Sequence, residues 1–327
     1  MITSEDIISR PYTPDLTQAG IDHVHHSTHF DFNRTLTHRL RRIISSVAVE
    51  LSFRRYLGEQ NVPHENLGTS PFTNPGRYDI VIGGRRCEIK NYLVCHKNRI
   101  QAINKNSETL LQGDALIPVD EMKTSQLSEH DIYIFSFLTA LLTPNRHALE
   151  QAYRAGQPIH LIHVLPKGWV GIHHWASLGK IALKSNASDP IEIQLRGYGQ
   201  NKIRQHEKIL LHPHLRITIQ ENFYALHYLN SADLPNDIVG IHSPILKHTH
   251  LIEPPQWENI WVYGMKVIFT GYITRGEFRR KGQMITAGNR DSQCPNIQTQ
   301  HMAIPMLQLH PISDLFARAI TWHKAKK

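Results

Sequence analysis

Residues 78–91 read Tyr78-Asp79-Ile80-Val81-Ile82-Gly83-Gly84-Arg85-Arg86-Cys87-Glu88-Ile89-Lys90-Asn91. A Gly-Gly pair between two short apolar-polar runs predicts a tight hairpin, because a two-residue turn needs positive φ at both central positions. With Gly83 and Gly84 as the turn, Ile82 faces Arg85, Val81 faces Arg86, Ile80 faces Cys87 and Asp79 faces Glu88. Two carboxylates then stand opposite each other with Cβ atoms about 5 Å apart, a destabilising arrangement unless something compensates it. Lys90 lies two residues past Glu88 and so points to the same face. Ile80, Ile82, Cys87 and Ile89 form the alternate, apolar set, so one face is expected to pack on a core while the other carries chemistry. A one-residue slip would mix the two sets and bury charge.

Outward from the hairpin, Leu36, Leu40, Ile43, Ile44, Val47, Leu51, Arg54 and Leu57 recur at steps of three and four, the spacing of one buried helix face. Gly58 is placed to end that helix. Glu50 lies on or beside its apolar stripe, where a carboxylate needs a partner; Arg54, four residues on, is one on offer. After the hairpin, residues 96–129 give no clear pattern. A strand is expected at 131–138, a helix from about 144 to 156 and a fourth strand at 159–165. The order is helix, strand, strand, strand, helix, strand. Beyond residue 166 the chain reads as strand-rich, with candidates at 169–174, 180–184, 191–195, 215–220, 238–242 and 260–273, and helices at 201–211 and 313–323.

Composition bounds the function. The 327 residues suffice for two domains, or for one large domain with an elaboration. A formal net charge of +8 suits a polyanionic partner. Three cysteines without CxxC spacing indicate neither a disulfide framework nor a structural zinc site. The first residues lack the pattern of a secretory signal and no window has the length of a membrane span, so a cytoplasmic protein with no membrane partner is expected. Phosphate-loop, nucleophile-elbow and dinucleotide motifs are missing. Histidine is abundant, at 23 residues, but His23, His25, His26 and His29, like His242, His248 and His250, carry no carboxylate or Cys at a recognised zinc spacing and read as scattered surface residues.

These residues in this order resemble the PD-(D/E)xK, or restriction-endonuclease-like, nuclease superfamily. The resemblance covers about residues 35–165 and rests on Asp79, on Glu88-Ile89-Lys90 and on Glu50 of the preceding helix. It implies an α/β fold with an αβββαβ core, a mixed central sheet flanked by helices, followed here by a strand-rich α+β C-terminal region. The implied division is an arm at 1–34, a nuclease domain at 35–166 and a second region at 167–327. One departure is that Tyr78, not Pro, precedes Asp79.

By the same resemblance Asp79 and Glu88 are metal ligands, the Ile89 carbonyl adds a third, and Glu50 holds a metal-bound water or a second ion. Lys90 orients the attacking water or stabilises charge developing on the phosphate; a desolvated lysine can also work as a base. Mg²⁺ is the implied ion, with Mn²⁺ as substitute. The activity implied is a metal-dependent endonuclease, acting on DNA, double-stranded ahead of single-stranded. The alternatives are a nucleic-acid-binding subunit completed by a partner, and an RNase with the same site. Assembly as a homodimer, or with a partner subunit of a defence or mobile-element system, is left open.

Nucleic-acid contacts are sought in the second half, where Trp261, Tyr263, Lys266, Phe269, Tyr272, Arg275, Arg279, Arg280 and Lys281 interleave aromatics with cations. The run from Trp261 to Tyr272 reads better as a buried core strand. The cations from Arg275 to Lys281 are the candidate nucleic-acid contacts.

Overall fold

A computed structural model describes residues 2–27, 36–66, 79–142, 145–170, 175–286 and 299–325. The chain opens with β1 (Ile8–Pro11), α1 (Pro14–Ser27) and α2 (Leu36–Glu59), then β2 (His64–Asn66), β3 (Ile80–Ile82) and β4 (Arg85–Val94). Next, α3 (Lys97–Lys105), β5 (Asp114–Pro118) and α4 (Val119–Thr124) lead to β6 (Ile132–Thr139). After α5 (Arg146–Arg154) come β7 (Leu161–Val164), β8 (Ala182–Ser185), β9 (Ile191–Tyr198), β10 (Arg204–Leu211) and β11 (Arg216–Thr218). They are followed by β12 (Ala225–Ser231), β13 (Val239–Ser243), β14 (His248–Ile252) and β15 (Glu258–Asn259). Last are β16 (Lys266–Thr274), α6 (Arg275–Lys281), β17 (Gln283–Ile285), β18 (His301–Pro305) and α7 (Ile312–Ala325). The fold is mixed α/β with several sheets, and among the described residues no helix is long and apolar enough to cross a membrane.

Two compact units share the chain. The first takes Met1–Thr28, Arg42–Leu141 and Gly264–Lys327; the second takes His29–Arg41 and Leu142–Tyr263. The second is thus inserted in the sequence of the first. This differs from the expected boundary at 166, which falls inside the second unit.

In the first unit a six-stranded mixed sheet runs β1-β16-β6-β4-β3-β2. Only β4 and β6 pair in parallel; every other neighbouring pair is antiparallel. All eight residues of β6 are buried, as befits a strand covered on both faces. The strand expected at 159–165 does not join this sheet: β7 pairs with β12 and β15 in the second unit. Its place beside β6 is filled by β16, whose registered pairs run from Lys266↔Thr139 to Thr274↔Ile132. Buried Val267, Ile268, Phe269, Tyr272 and Ile273 match the apolar length of β6, a long-range pairing that outweighs nearness in sequence.

Helix α2 buries Leu40, Ile43, Ile44, Val47, Ala48, Val49, Phe53 and Leu57. The stripe is wider than its spacing suggested: Leu51 is half-buried, whereas Phe53 is fully enclosed and meets Phe269 of β16 with ring centroids 4.9 Å apart. The helix ends through Asn61, not Gly58. Asn61 takes φ +51, its N–H donates to Gly58 O (3.1 Å) and Val62 N–H donates to Leu57 O (2.9 Å). That is the Schellman pattern, with Asn in the left-handed position that Gly more often fills.

In the second unit a five-stranded sheet, β10-β9-β12-β7-β15, and a four-stranded sheet, β11-β8-β13-β14, contribute to one core that includes Leu161, Leu195, Leu229, Leu183, Val239 and Ile241. The helix expected at 201–211 is instead β10, paired with β9 along all eight of its residues. Gln, Glu, Lys and Leu favour a helix there in isolation, but the cross-strand pairing of Ile209 with Ile193 and Leu211 with Ile191 decides the outcome. Of the strand expected at 169–174, Trp169 ends a short 3₁₀ turn and residues 171–174 lie outside the described residues.

Candidate active site

The hairpin forms in the register its sequence predicts: Ile82↔Arg85, Val81↔Arg86 and Ile80↔Cys87. Gly83 and Gly84 take φ of +58 and +81. Gly83 is required twice over, since a Cβ there would also lie 2.6 Å from Trp322 Cε3 of α7. Ile80, Ile82 and Cys87 are fully buried, while Ile89 is only half-buried, so the apolar face ends one position sooner than expected.

Asp79 stands just before β3. Its N–H donates to Cys87 O (2.9 Å) and its Oδ2 accepts the Ile89 N–H (2.6 Å). The carboxylate is thus tied to β4 beside Glu88. Ile89, expected to contribute its carbonyl, makes its visible contact with Asp79 through N–H.

Glu88 and Lys90 share the face opposite the core. Lys90 Nζ lies 2.5 Å from Glu88 Oε1 and 2.5 Å from Glu121 Oε1 of α4. Lys90 is 11% exposed, Glu88 19% and Glu121 42%. The same ammonium sits 5.5 Å from the centre of the buried Tyr133 ring on β6. Burial pushes the Glu88 carboxyl up to about 7; Glu121 and Asp79 add to that push and Lys90 opposes it. Burial also disfavours charge on Lys90, but Glu88 and then Glu121 outweigh it and hold the ammonium above the ordinary lysine value. A base role for Lys90 needs the opposite shift, so in this state it is a fixed positive charge. For Glu121 burial works against ionisation, but Lys90 wins and lowers its pKa.

Glu50 pairs with Arg54, four residues along α2, and the same guanidinium donates to Asp79 O (2.9 Å). Arg54 therefore links Glu50 to the start of the hairpin. The arrangement realises the i to i+4 pairing open to Glu50 in the sequence, and Glu50 reaches the site through Arg54.

Sequence reasoning missed Glu121. It lies in the stretch that showed no periodicity, where its one signal is Pro118-Val119-Asp120-Glu121, a Pro followed by acidic residues as at a helix start. That signal finds the helix but not the contact with Lys90 across 31 residues.

The cations of the second half fare unequally. Arg275 is absorbed by the fold: its guanidinium donates to Leu127 O and to Met122 O (2.7 Å). Arg279 pairs with Glu129 and Lys281 with Glu277. Arg280 is exposed. Trp261, Phe269 and Tyr272 are buried, as the core reading expected.

Of the histidines, His250 Nε2 meets His163 Nε2 at 2.9 Å and His242 Nδ1 meets Thr249 Oγ1 at 2.9 Å. His29, and the side chains of His25 and His26, lie outside the described residues. Among the described residues no group of three or more His, Cys, Asp or Glu side chains is gathered as a metal cage.

In comparisons with known proteins, the chain matches no family model, no curated protein and no solved structure.

Proposed function

We propose that the chain is a metal-dependent endonuclease that hydrolyses phosphodiester bonds in DNA. The observation that carries this reading is the grouping of Asp79, Glu88 and Lys90 on one hairpin, with the Lys90 ammonium 2.5 Å from Glu88. Element order adds support. From α2 the chain runs α2, β2, β3, β4, α3, β5, α4, β6, so a helix and three strands of the six-stranded sheet precede a helical crossover to β6, with β5 paired in another sheet.

The donor set fits a hard divalent ion bound as Mg²⁺ usually is, by one or two carboxylates with water and substrate oxygens completing its shell. Asp79 and Glu88 would hold it; when bound, it polarises the phosphate and acidifies a coordinated water. The chain's own residues do the remaining work. Burial, and the charge of Asp79 beside it, disfavour the ionised form of Glu88, a penalty that a bound divalent ion would relieve. Lys90 presents a permanent positive charge toward the phosphate oxygens. Arg54, held by Glu50, fixes the backbone of Asp79 and so the aim of its carboxylate. Arg280, exposed on α6 between Arg279 and Lys281, which are exposed but ion-paired, would be the cation to touch the nucleic-acid backbone.

The reading is tested by cleavage of labelled double-stranded DNA, single-stranded DNA and RNA with Mg²⁺, Mn²⁺ or EDTA, wild type beside Lys90→Ala. Metal-dependent cutting lost in Lys90→Ala is the expected result, and the substrate cut separates a DNase from an RNase. One observation favours a second reading, a binding subunit completed by a partner: Lys90 and Glu50 are already neutralised by pairs within the chain. Binding without cutting in every condition would select it.

A further inference from the structure

Lys90 has two anchors of different character. Glu88 lies on its own strand and is mostly buried, whereas Glu121 reaches it from α4 and is half-exposed. The short helix carrying Glu121 is fixed by the surrounding chain. Val119 N–H donates to Gln300 O (2.9 Å), Met122 is buried, and the Arg275 guanidinium holds Met122 O (2.7 Å) and Leu127 O. The helix that carries Glu121 is therefore held by contacts that do not involve Glu88, while the Glu121 carboxylate itself meets both Lys90 and Glu88.

A divalent ion and an ammonium compete for one buried carboxylate. An ion seated on Glu88 repels Lys90, and a lysine held by Glu88 alone would swing on its four-carbon stem into water. We infer that Glu121 is a positioning residue that retains the Lys90 ammonium at the site when a divalent ion takes the Glu88 carboxylate. This rests on the reading of Asp79 and Glu88 as the ion's ligands. In that scheme Lys90 is the internal counter-cation of the ion-free site and passes from two carboxylates to one as the ion arrives. The Tyr133 ring, 5.5 Å from Nζ, lines the position in which it is kept. No bond is made or broken in the exchange; one cation replaces another on Glu88.

The test is acylation of Lys90 by an amine reagent, read by mass spectrometry, with and without Mg²⁺, in wild type, Glu121→Gln and Glu121→Asp. Calorimetry with Mg²⁺ on the same samples reports whether the ion binds. In wild type, Lys90 is expected to stay protected in both conditions. In Glu121→Gln, Mg²⁺ is expected to raise its labelling about tenfold over wild type, the scale of one lost hydrogen bond between charged groups. Glu121→Asp keeps the charge and is expected to restore most of the protection. A merely structural role for Glu121 would change labelling equally with and without the ion. If Mg²⁺ binds wild type but Lys90 in Glu121→Gln stays as protected as in wild type, the positioning role is overturned and the ion site stands. If Mg²⁺ binds neither protein, the ion-site reading fails and takes this inference with it.

Discussion

The Asp79 carboxylate accepts the Ile89 backbone N–H at 2.6 Å, fastening the lead-in of one strand to the middle of the next. One residue thus has a structural and a proposed chemical duty, and two substitutions separate them. Asp79→Asn keeps an acceptor oxygen and loses the charge; Asp79→Ala loses both. Asp79→Asn is expected to unfold within a few degrees of wild type yet to lose Mg²⁺ binding and cleavage. Asp79→Ala should lose a further 1–2 kcal/mol or so of stability. Calorimetry and thermal unfolding on both variants check this; wild-type Mg²⁺ affinity in Asp79→Asn would remove Asp79 from the ligand set.

Glu88 sets a pH dependence. Its folded-state pKa of about 7 lies above that of an unfolded glutamate, so the folded state holds the proton more tightly. Its contribution to stability is present in full below the unfolded value and is lost as pH rises through about 7, with a slope of up to about 1.4 kcal/mol per pH unit in between. Glu88→Gln should flatten that slope in urea titrations. Metal affinity runs the other way, since an ion needs the ionised form. Mg²⁺ binding is expected to be roughly tenfold weaker at pH 6 than at pH 8; equal affinities would contradict the role.

The second unit should respond to acid in the opposite sense. His160 and His227 have pKa values lowered to about 4 by burial, so both stay neutral in the fold while an unfolded histidine takes a proton near 6.5. Stability from this source is complete above about 6.5 and is lost as pH falls towards 4. His160→Leu should move the acid-unfolding midpoint to lower pH, followed by tryptophan fluorescence. An unchanged midpoint would mean that other groups carry the transition.

The basic segment after β16 should split by residue. Arg280→Ala is expected to lower the slope of log affinity for DNA against log salt by about one, the loss of a single phosphate contact. Arg275→Ala should leave that slope alone and cost about 1–3 kcal/mol of stability, because it strands the carbonyls of Met122 and Leu127. Salt titrations beside unfolding curves distinguish the two.

What the sequence made legible was local. The hairpin register, the two left-handed glycines, the helix over α2, the strand over β6 and the final helix all follow from periodicity and turn chemistry within a few residues. Ion pairs brought together by the fold were less accessible: Glu50 with Arg54 is visible at helical spacing, Lys90 with Glu121 is not. The strand order was the hardest part. Nothing within residues 159–165 distinguishes a partner for β6 from a strand of another sheet, because both are short apolar runs. The choice is made by β16, more than a hundred residues further along, whose length and burial match β6.

The chain leaves the six-stranded sheet after β6 and returns at β16, where Thr139 Oγ1 donates to Gly264 O (2.7 Å) and accepts the Lys266 N–H (3.1 Å). On a ribosome adding roughly 5–20 residues per second, β16 emerges on the order of ten seconds after β6. Throughout that interval a mostly apolar strand, destined to be wholly buried, has one open edge, a row of amides and carbonyls ready to pair with any other extended chain. The period of greatest risk during synthesis is therefore timed by the length of the inserted unit rather than by the sheet's own sequence. Shortening the insert would shorten the exposure in proportion.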